Sequence, residues 1–413
     1  MKKSWIPVAE ESNFPIQNIP FGIFSTPNKT ARPGVAIGDQ ILDLLVLWEN
    51  GFLHDFPFQK RDIDHCVLND MMRYGKSVMS KLRLHIIELL SEGNVTLAQH
   101  PCINDALVNQ VDATMHLPVH IGDYTDFYSS EDHARNVGMM FRDPAKALLP
   151  NWKHLPVGYH GRSSTIVPSG TPIKRPQGQT NASDDTLPIF QASQQLDFEL
   201  EMAFVTFNGK AMGESISTAE AKDYIFGFVI FNDWSARDIQ RWEYVPLGPF
   251  LAKNFASTIS PWIVTLDALE EFHIDGPIQD PEVLPYLKYQ GPHNVDIHLT
   301  VSITPEGGKD TVVSQSNYKY MYWNYAQQLA HHTVGGCAIR VGDMMASGTI
   351  SGPEKGSYGS MLEIAWKGTQ PVALEDGTER KFILNGDTVK MRAFAQGNGY
   401  RIGFGECDGK VIG

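Results

Sequence analysis

Only four cysteines occur in 413 residues, Cys66, Cys102, Cys337 and Cys407, and no two of them make a Cys-x-x-Cys pair. Thiols scattered in this way form neither a disulfide framework nor a zinc knuckle, and they read as reduced thiols of an intracellular protein. Basic runs are also missing: 34 Lys and Arg stand against 47 Asp and Glu, a formal net charge of -13. Binding a phosphate backbone requires a basic face, so nucleic acid is excluded as a partner. A small anionic substrate is admissible where local cations overcome the global field. No apolar stretch approaches the roughly 18 residues that a membrane span needs. The start, Met1-Lys2-Lys3-Ser4-Trp5-Ile6-Pro7, has no apolar core of a secretion signal. A cytoplasmic protein with no membrane partner is expected. Neither an internal repeat nor a low-complexity segment is present, which excludes an array architecture.

What is present is the composition of a globular protein, 42% hydrophobic and 20% charged. The length allows two or three domains, although one large β architecture could absorb much of it. Between Phe21 and Leu45 short apolar runs are separated by Pro27-Asn28, Pro33-Gly34 and Gly38-Asp39, which predicts small paired strands. Val78 to Leu90 carries apolar residues at helical spacing and stops before Gly93. Residues 1–117 therefore read as a small β domain with a helical appendage. From 118 to 413 the chain consists of many short strand-like runs punctuated by Gly and Pro, a large irregular β domain. Phe204 to Asn208 with Gly209 predicts a hairpin turn, and helices are expected from Ser217 to Tyr224 and from Tyr322 to His332.

Within that texture one run is unusual: Leu196-Asp197-Phe198-Glu199-Leu200-Glu201-Met202-Ala203-Phe204-Val205. Its alternation predicts one strand with Glu199 and Glu201 on the same face. Such a pair is either a solvated strand face or a buried repulsion that needs a cation or a proton between the carboxylates. Three further segments place charge among apolar or tightly turned residues. Asp123 to Asn136 sets His133 among carboxylates, either a general base or a bystander on an exposed loop. Asn232-Asp233-Trp234-Ser235-Ala236-Arg237-Asp238 follows an apolar strand, so Asp233 is a metal ligand or an N-cap, and Arg237 and Gln240 share a helix face. Lys253, flanked by Leu251, Ala252 and Phe255, either snorkels to solvent or faces a developing oxyanion.

Two smaller features complete the set. Ala346 to Pro353 is a small-residue turn through which backbone could approach a ligand, and Glu363 sits in a strand-like run, Met361 to Trp366, as an apolar-flanked carboxylate needing a partner. His331 and His332 are not a ligand pair, because helix neighbours diverge by about 100°. Carboxylates without a Cys or His cluster suit Mg2+ or Ca2+ better than zinc. With one candidate base and several Arg, Lys and Gln donors, they suit an oxygen-rich anion reacting through an enolate or oxyanion.

At these residues the chain resembles the fumarylacetoacetate hydrolase family over nearly its whole length. The marks are Asp123-Tyr124-Thr125-Asp126-Phe127-Tyr128-Ser129-Ser130, His133 with Arg142, Gly158-Tyr159-His160-Gly161-Arg162, the Glu199/Glu201 pair, Asn232 to Asp238, and Ser347-Gly348-Thr349-Ile350-Ser351-Gly352. The resemblance implies a mainly β protein, a small N-terminal SH3-like barrel followed by a large C-terminal mixed β-sandwich roll, assembled as a homodimer. It implies a divalent ion, Mg2+ or Ca2+, on Asp126, Glu199, Glu201 and Asp233. A second magnesium site at the Lys253 backbone oxygen and Ser257 is also implied, although Ala256-Ser257 stands where the family has Gly-Thr.

The resemblance further assigns His133 as base with Glu363 as its orienter, and Arg237, Gln240 and Lys253 as donors to developing negative charge. Tyr128, Arg142, Tyr159, Gln240, Tyr244 and Thr349 become substrate contacts. The implied reaction is hydrolysis of a carbon–carbon bond in 4-fumarylacetoacetate, the last step of tyrosine and phenylalanine catabolism. Water activated by His133 attacks the carbonyl beside the fumaryl group, and the metal stabilises the enolate that leaves. An acylpyruvate hydrolase or an oxaloacetate decarboxylase of the same superfamily is the alternative.

Overall fold

Turn residues divide the early apolar runs much as their spacing predicts: strands Phe21–Thr26, Lys29–Ile37 and Gln40–Asp43 pair antiparallel through turns at Pro27-Asn28 and Gly38-Asp39. The computed structural model, which describes residues 2–181 and 186–413, is mainly β. Pro33-Gly34, expected to separate two runs, lies inside Lys29–Ile37 instead. Gly34 is required there by contact, since a Cβ would come within 2.6 Å of Ile41 and 2.8 Å of the Phe24 ring. Leu107–Asn109 and Thr114–His116 complete a five-stranded antiparallel sheet. The periodic run becomes the helix Lys76–Leu90, burying Met79, Leu82, Ile86 and Leu90.

A second, mixed sheet forms the middle layer. Its strand order is Gly158–His160, Tyr124–Phe127, Met344–Ala346, Leu200–Thr206, Ile225–Asp233, Ser257–Ile259, Ile166–Pro168, with Val264–Thr265 also on Ile225–Asp233. The third sheet runs Thr311–Asn317, His298–Thr304, Thr388–Gly397, Tyr400–Ile412, Ile173–Lys174. Alternation along the central strands explains how the layers join. Phe204, Phe228 and Ile230 enter one core with Leu299, Val301, Met391 and Phe404 of the third sheet. Ala203, Val205, Val229 and Phe231 enter another with Phe21, Ile23, Val35 and Leu82. The middle sheet is thus buried on both faces, which is why its strands are almost continuously apolar. Any charge on it is committed to low-dielectric surroundings.

Three local expectations are corrected. Ser217 to Tyr224 yields only the short 3-10 turn Ala221–Asp223, although the Ser217 hydroxyl does donate to Glu220 (2.7 Å). The second predicted helix starts later, at Tyr325–Thr333, because Asn324 caps it by accepting from the Ala326 and Gln327 amides. No tight hairpin forms at Gly209; its amide donates to the Ile339 carbonyl (3.0 Å), and a Cβ there would lie 2.4 Å from Ile339.

Phe228 is fully buried between the layers, with the rings of Phe204, Tyr318 and Tyr325 at 6.0, 5.8 and 5.7 Å. Phe228→Ala is expected to lower stability by about 3–5 kcal/mol, read from urea unfolding. An unchanged midpoint would mean that this interlayer contact does not hold the sheets together.

Candidate active site

Strand register brings three carboxylates to one place. Asp126 pairs with Ala346, Ala346 with Ala203, Glu201 with Phe231, and Asp233 with Ser257. Side chains paired across strands share a face, and residues two apart on one strand do so as well, so Asp126, Glu201 and Asp233 all project from the same side. Each contributes an oxygen to a cluster whose atoms lie within 4.8 Å of one another, and all three residues are buried. Like charges so close and so dry repel. Burial and the Asp233 charge push the Asp126 carboxyl well above the carboxylate range, and burial with Asp126 and Asp233 does the same to Glu201.

Asp126 Oδ1 and Glu201 Oε1 are buried and accept no hydrogen bond among the described residues. Buried oxygens are ordinarily satisfied, and hard, unpartnered carboxylate oxygens fit a hard divalent cation such as Mg2+ or Ca2+. The other oxygens are held in place. Glu201 Oε2 accepts the Gly348 amide (2.9 Å), Asp233 Oδ1 accepts the Ser257 hydroxyl (3.0 Å), and the Tyr159 hydroxyl reaches Asp126 Oδ2 (3.1 Å) and Asp233 Oδ2 (3.2 Å). Asp233 is the last residue of its strand and not an N-cap; the helix Arg237–Glu243 starts after Ala236.

Glu199 corrects the expectation of one continuous strand. The run breaks into Leu196–Asp197 and Leu200–Thr206, because Asp197 pairs with Ser235 while Glu199 bridges to Ser360. Neither glutamate is solvated: Glu199 is 6% and Glu201 1% exposed. Glu199 turns to two cations, accepting from Arg237 Nη2 (2.8 Å) and from Lys253 Nζ, which also donates to Asp233 (2.6 Å). Burial alone would raise the Glu199 carboxyl, but Arg237, Lys253 and His133 outweigh it and hold it well below its usual range. Lys253 does not snorkel; its ammonium is buried inside the site. The shared helix face places Arg237 Nη1 3.2 Å from Gln240 Oε1.

The candidate base is built by a capped helix. Ser130 accepts the His133 amide (3.2 Å) and opens Glu131–Phe141, with Glu131 and Asp132 in its first turn. His133 and Asn136, three apart, face inward together. His133 is therefore buried and not a loop bystander. Its Nδ1 lies 2.7 Å from Glu363 Oε2. Glu363 also accepts from Asn136 (2.9 Å), Ser351 (2.9 Å) and Ser360 (2.8 Å). Burial opposes its ionisation, yet the neighbouring His133 and the Asn136 and Ser360 donors keep its carboxyl below the usual value. A carboxylate acceptor assigns the proton to Nδ1 and leaves Nε2 basic.

Glu363 is not on a strand. Met361–Ile364 is one helical turn capped by Ser360, and the signal for it, Ser-x-x-Glu, lies in the sequence at Ser360 and Glu363. Sequence reasoning also missed Asp197 and Asn136, whose partners Met361 and Glu363 lie far along the chain, and Ser351 and Ser360, which reach Glu363 from twelve and three residues away.

Of the expected substrate contacts, Tyr128 stacks edge-on against His133 (5.2 Å between centroids), and Tyr159 and Gln240 touch the site as described. Thr349 is buried beside Gly348. Arg142 is exposed and donates to the Ala147 carbonyl (2.7 Å), and Tyr244 is 53% exposed; no hydrogen bond joins either to the acid cluster among the described residues. His331 and His332 have separate partners, Tyr286 and Thr125. A cavity of about 480 Å3 opens on Asp233, Lys253 and Tyr159, with Tyr124, His160 and Phe250 in its wall. No helix among the described residues is long and apolar enough to cross a membrane.

Residues 17–118 match the family model for the fumarylacetoacetase N-terminal domain, and residues 123–412 match that for the fumarylacetoacetate hydrolase C-terminal domain. Human fumarylacetoacetase is 52% identical over 413 residues, spanning 99% of this chain and 98% of its own. The Dictyostelium discoideum fumarylacetoacetase is 53% identical over 418 residues, with the same two coverages. A solved structure, a fumarylacetoacetate hydrolase from Exiguobacterium antarcticum, aligns over 95% of this chain and 99% of its own with a TM-score of 0.53 at 16% identity, a likeness of fold.

Gly348 has φ +80°, and a Cβ there would sit 2.2 Å from the Phe127 carbonyl oxygen. Gly348→Ala is expected to cost about 1–3 kcal/mol from backbone strain alone and to displace the amide that holds Glu201. Urea unfolding and Mg2+ titration of the same variant check both; full stability with unaltered ion affinity would contradict this account of the turn.

Proposed function

The chain belongs to the fumarylacetoacetate hydrolase family and is a hydrolase, and from that premise we propose that it cleaves 4-fumarylacetoacetate into fumarate and acetoacetate, ending tyrosine and phenylalanine catabolism. The observation that carries this reading is the buried His133–Glu363 hydrogen bond, set beside a cluster of hard oxygen donors. Near-full-length similarity to fumarylacetoacetases, through both parts of the chain, supports this substrate over those of an acylpyruvate hydrolase or an oxaloacetate decarboxylase.

His133 Nε2 takes a proton from water, while Glu363 fixes the ring and stabilises the imidazolium. The water oxygen bonds to the carbonyl carbon beside the fumaryl group. When that carbon regains its carbonyl, the carbon–carbon bond breaks and its electron pair leaves with the acetoacetate fragment as an enolate. Protonation of the enolate carbon by the imidazolium balances the reaction. Asp126, Glu201 and Asp233, with Glu199 as the expected fourth carboxylate, would hold a divalent ion that polarises the diketone and compensates enolate charge when bound.

Arg237, Gln240 and Lys253 serve as donors toward the developing negative charge. Tyr128, Tyr159 and Thr349 form the inner substrate contacts, and Arg142 and Tyr244 the outer ones. Ser257 and the Lys253 backbone oxygen are the proposed second magnesium ligands. The working unit is a cytoplasmic homodimer in which residues 118–413 carry the chemistry and residues 1–117 support them.

Turnover of fumarylacetoacetate is expected to exceed that of acylpyruvates when both are followed by loss of diketone absorbance; faster acylpyruvate turnover would overturn the substrate assignment. His133→Ala is expected to lower kcat by about 10²–10⁴-fold in steady-state assays of folded protein. An unchanged rate would remove His133 from the role of base.

A further inference from the structure

We propose that Asp197 is a positioning residue that sets the His133–Glu363 pair in register with the Arg237–Glu199 pair, an inference that rests on the hydrolytic reading above. Asp197 has no exposed surface and cannot touch substrate. Its two oxygens nevertheless meet both halves of the site. Oδ1 accepts the Met361 amide (2.7 Å), while Oδ2 accepts the Leu362 amide (3.0 Å) and Arg237 Nε (2.8 Å). Met361 and Leu362 open the helical turn that carries Glu363, and Glu363 fixes His133. Arg237 continues to Glu199 through Nη2 (2.8 Å).

One carboxylate therefore lies one hydrogen bond from Arg237 and two from each of His133 and Glu199. The strand pair Leu196–Asp197 with Ser235–Ala236 anchors it, two residues before Glu199 and two before Arg237 respectively. A purely structural position would be filled more cheaply by an apolar side chain, because a buried charge must be desolvated. A fork that accepts from a helix start and a guanidinium at once has a use that an apolar residue cannot supply: it transmits a fixed distance between the base and the donors. Misplacement of a reacting group by about 1 Å costs about 100-fold in rate, so the requirement is stringent.

The test is Asp197→Asn in the full-length protein. An amide offers one acceptor oxygen and a donating NH2, so the fork is broken in either orientation: with the oxygen toward Arg237 Nε and the Leu362 amide, the NH2 meets the Met361 amide head-on, and in the other orientation it meets Arg237 Nε and the Leu362 amide. kcat on fumarylacetoacetate is expected to fall about 100-fold with little change in KM. Combined with Glu363→Gln, the double variant is expected to lose clearly less than the product of the two single losses, since the Met361 and Leu362 connection acts through Glu363 and His133; losses that multiply in full would overturn the proposal. Independently of substrate, the Nδ1–H proton resonance of His133, identified by its absence in His133→Ala, is expected to move or broaden in Asp197→Asn. An unmoved resonance in folded Asp197→Asn would also overturn the proposal. Should wild-type protein not hydrolyse fumarylacetoacetate, the proposed reaction fails while this resonance still decides the coupling. If Asp197→Asn does not fold, Asp197→Glu, which keeps the charge and moves it by one methylene, is expected to fold, shift the resonance and lose kcat; full kcat in that variant would refute the role.

Discussion

Mutual repulsion of buried carboxylates is the constraint around which this molecule is organised. Asp126, Glu201 and Asp233 converge where, among the described residues, no protein cation bonds to all of them, and an anion in low dielectric is costly unless compensated. Compensation inside the chain is partial. Arg237 and Lys253 hold Glu199 ionised, whereas Asp126 and Glu201 are driven toward the protonated form. A divalent ion would remove that penalty and keep both carboxylates charged. In a chain of net charge -13, the cations that an anion would meet at this site are Arg237 and Lys253, both buried, where their fields are least screened.

The three-layer arrangement makes such a site affordable. A sheet covered on both faces supplies rigid strand ends, and small residues, Ala203 and Ala346 on the ligand face, stand between the ligand-bearing strands. The turn at Gly348 brings a backbone amide to Glu201 without a side chain in the way. On the opposite flank, two short capped helices aim His133 and Glu363 at one another. The base thus rests on helix starts and the ligands on strand ends, with Arg237 and Asp197 between them.

Much of the site was legible because charge interrupts apolar pattern. Glu199, Glu201, Lys253 and Glu363 each stand among apolar residues, where a charge is either turned to solvent or given a buried partner, and Asp233 follows an apolar strand; Asp126 came from the family resemblance. The strands around Phe21 to Asp43 were legible from their turn residues. What stayed hidden depends on pairing across the chain. Alternation places Glu199 and Glu201 on one strand face, but the contact of Asp197 with Met361, 164 residues away, belongs to no local window and accompanies the break in that strand. The helical turn at Glu363 was obscured because four residues are too few for periodicity to separate helix from strand, although its cap was written beside it. Asn136, Ser351 and Ser360 gave little signal, since small polar residues are as common in turns as around a carboxylate.

The central claim is that Asp126, Glu201 and Asp233 form the seat of a divalent cation. Mn2+ is a hard ion that accepts the same carboxylate ligands as Mg2+ and is visible by anomalous scattering. Crystals of the protein grown with Mn2+ should show one strong anomalous peak within bonding distance of all three carboxylates, lost in Glu201→Gln. Crystals saturated with Mn2+ that show no peak at this position, or a peak that survives that substitution undiminished, would contradict the account.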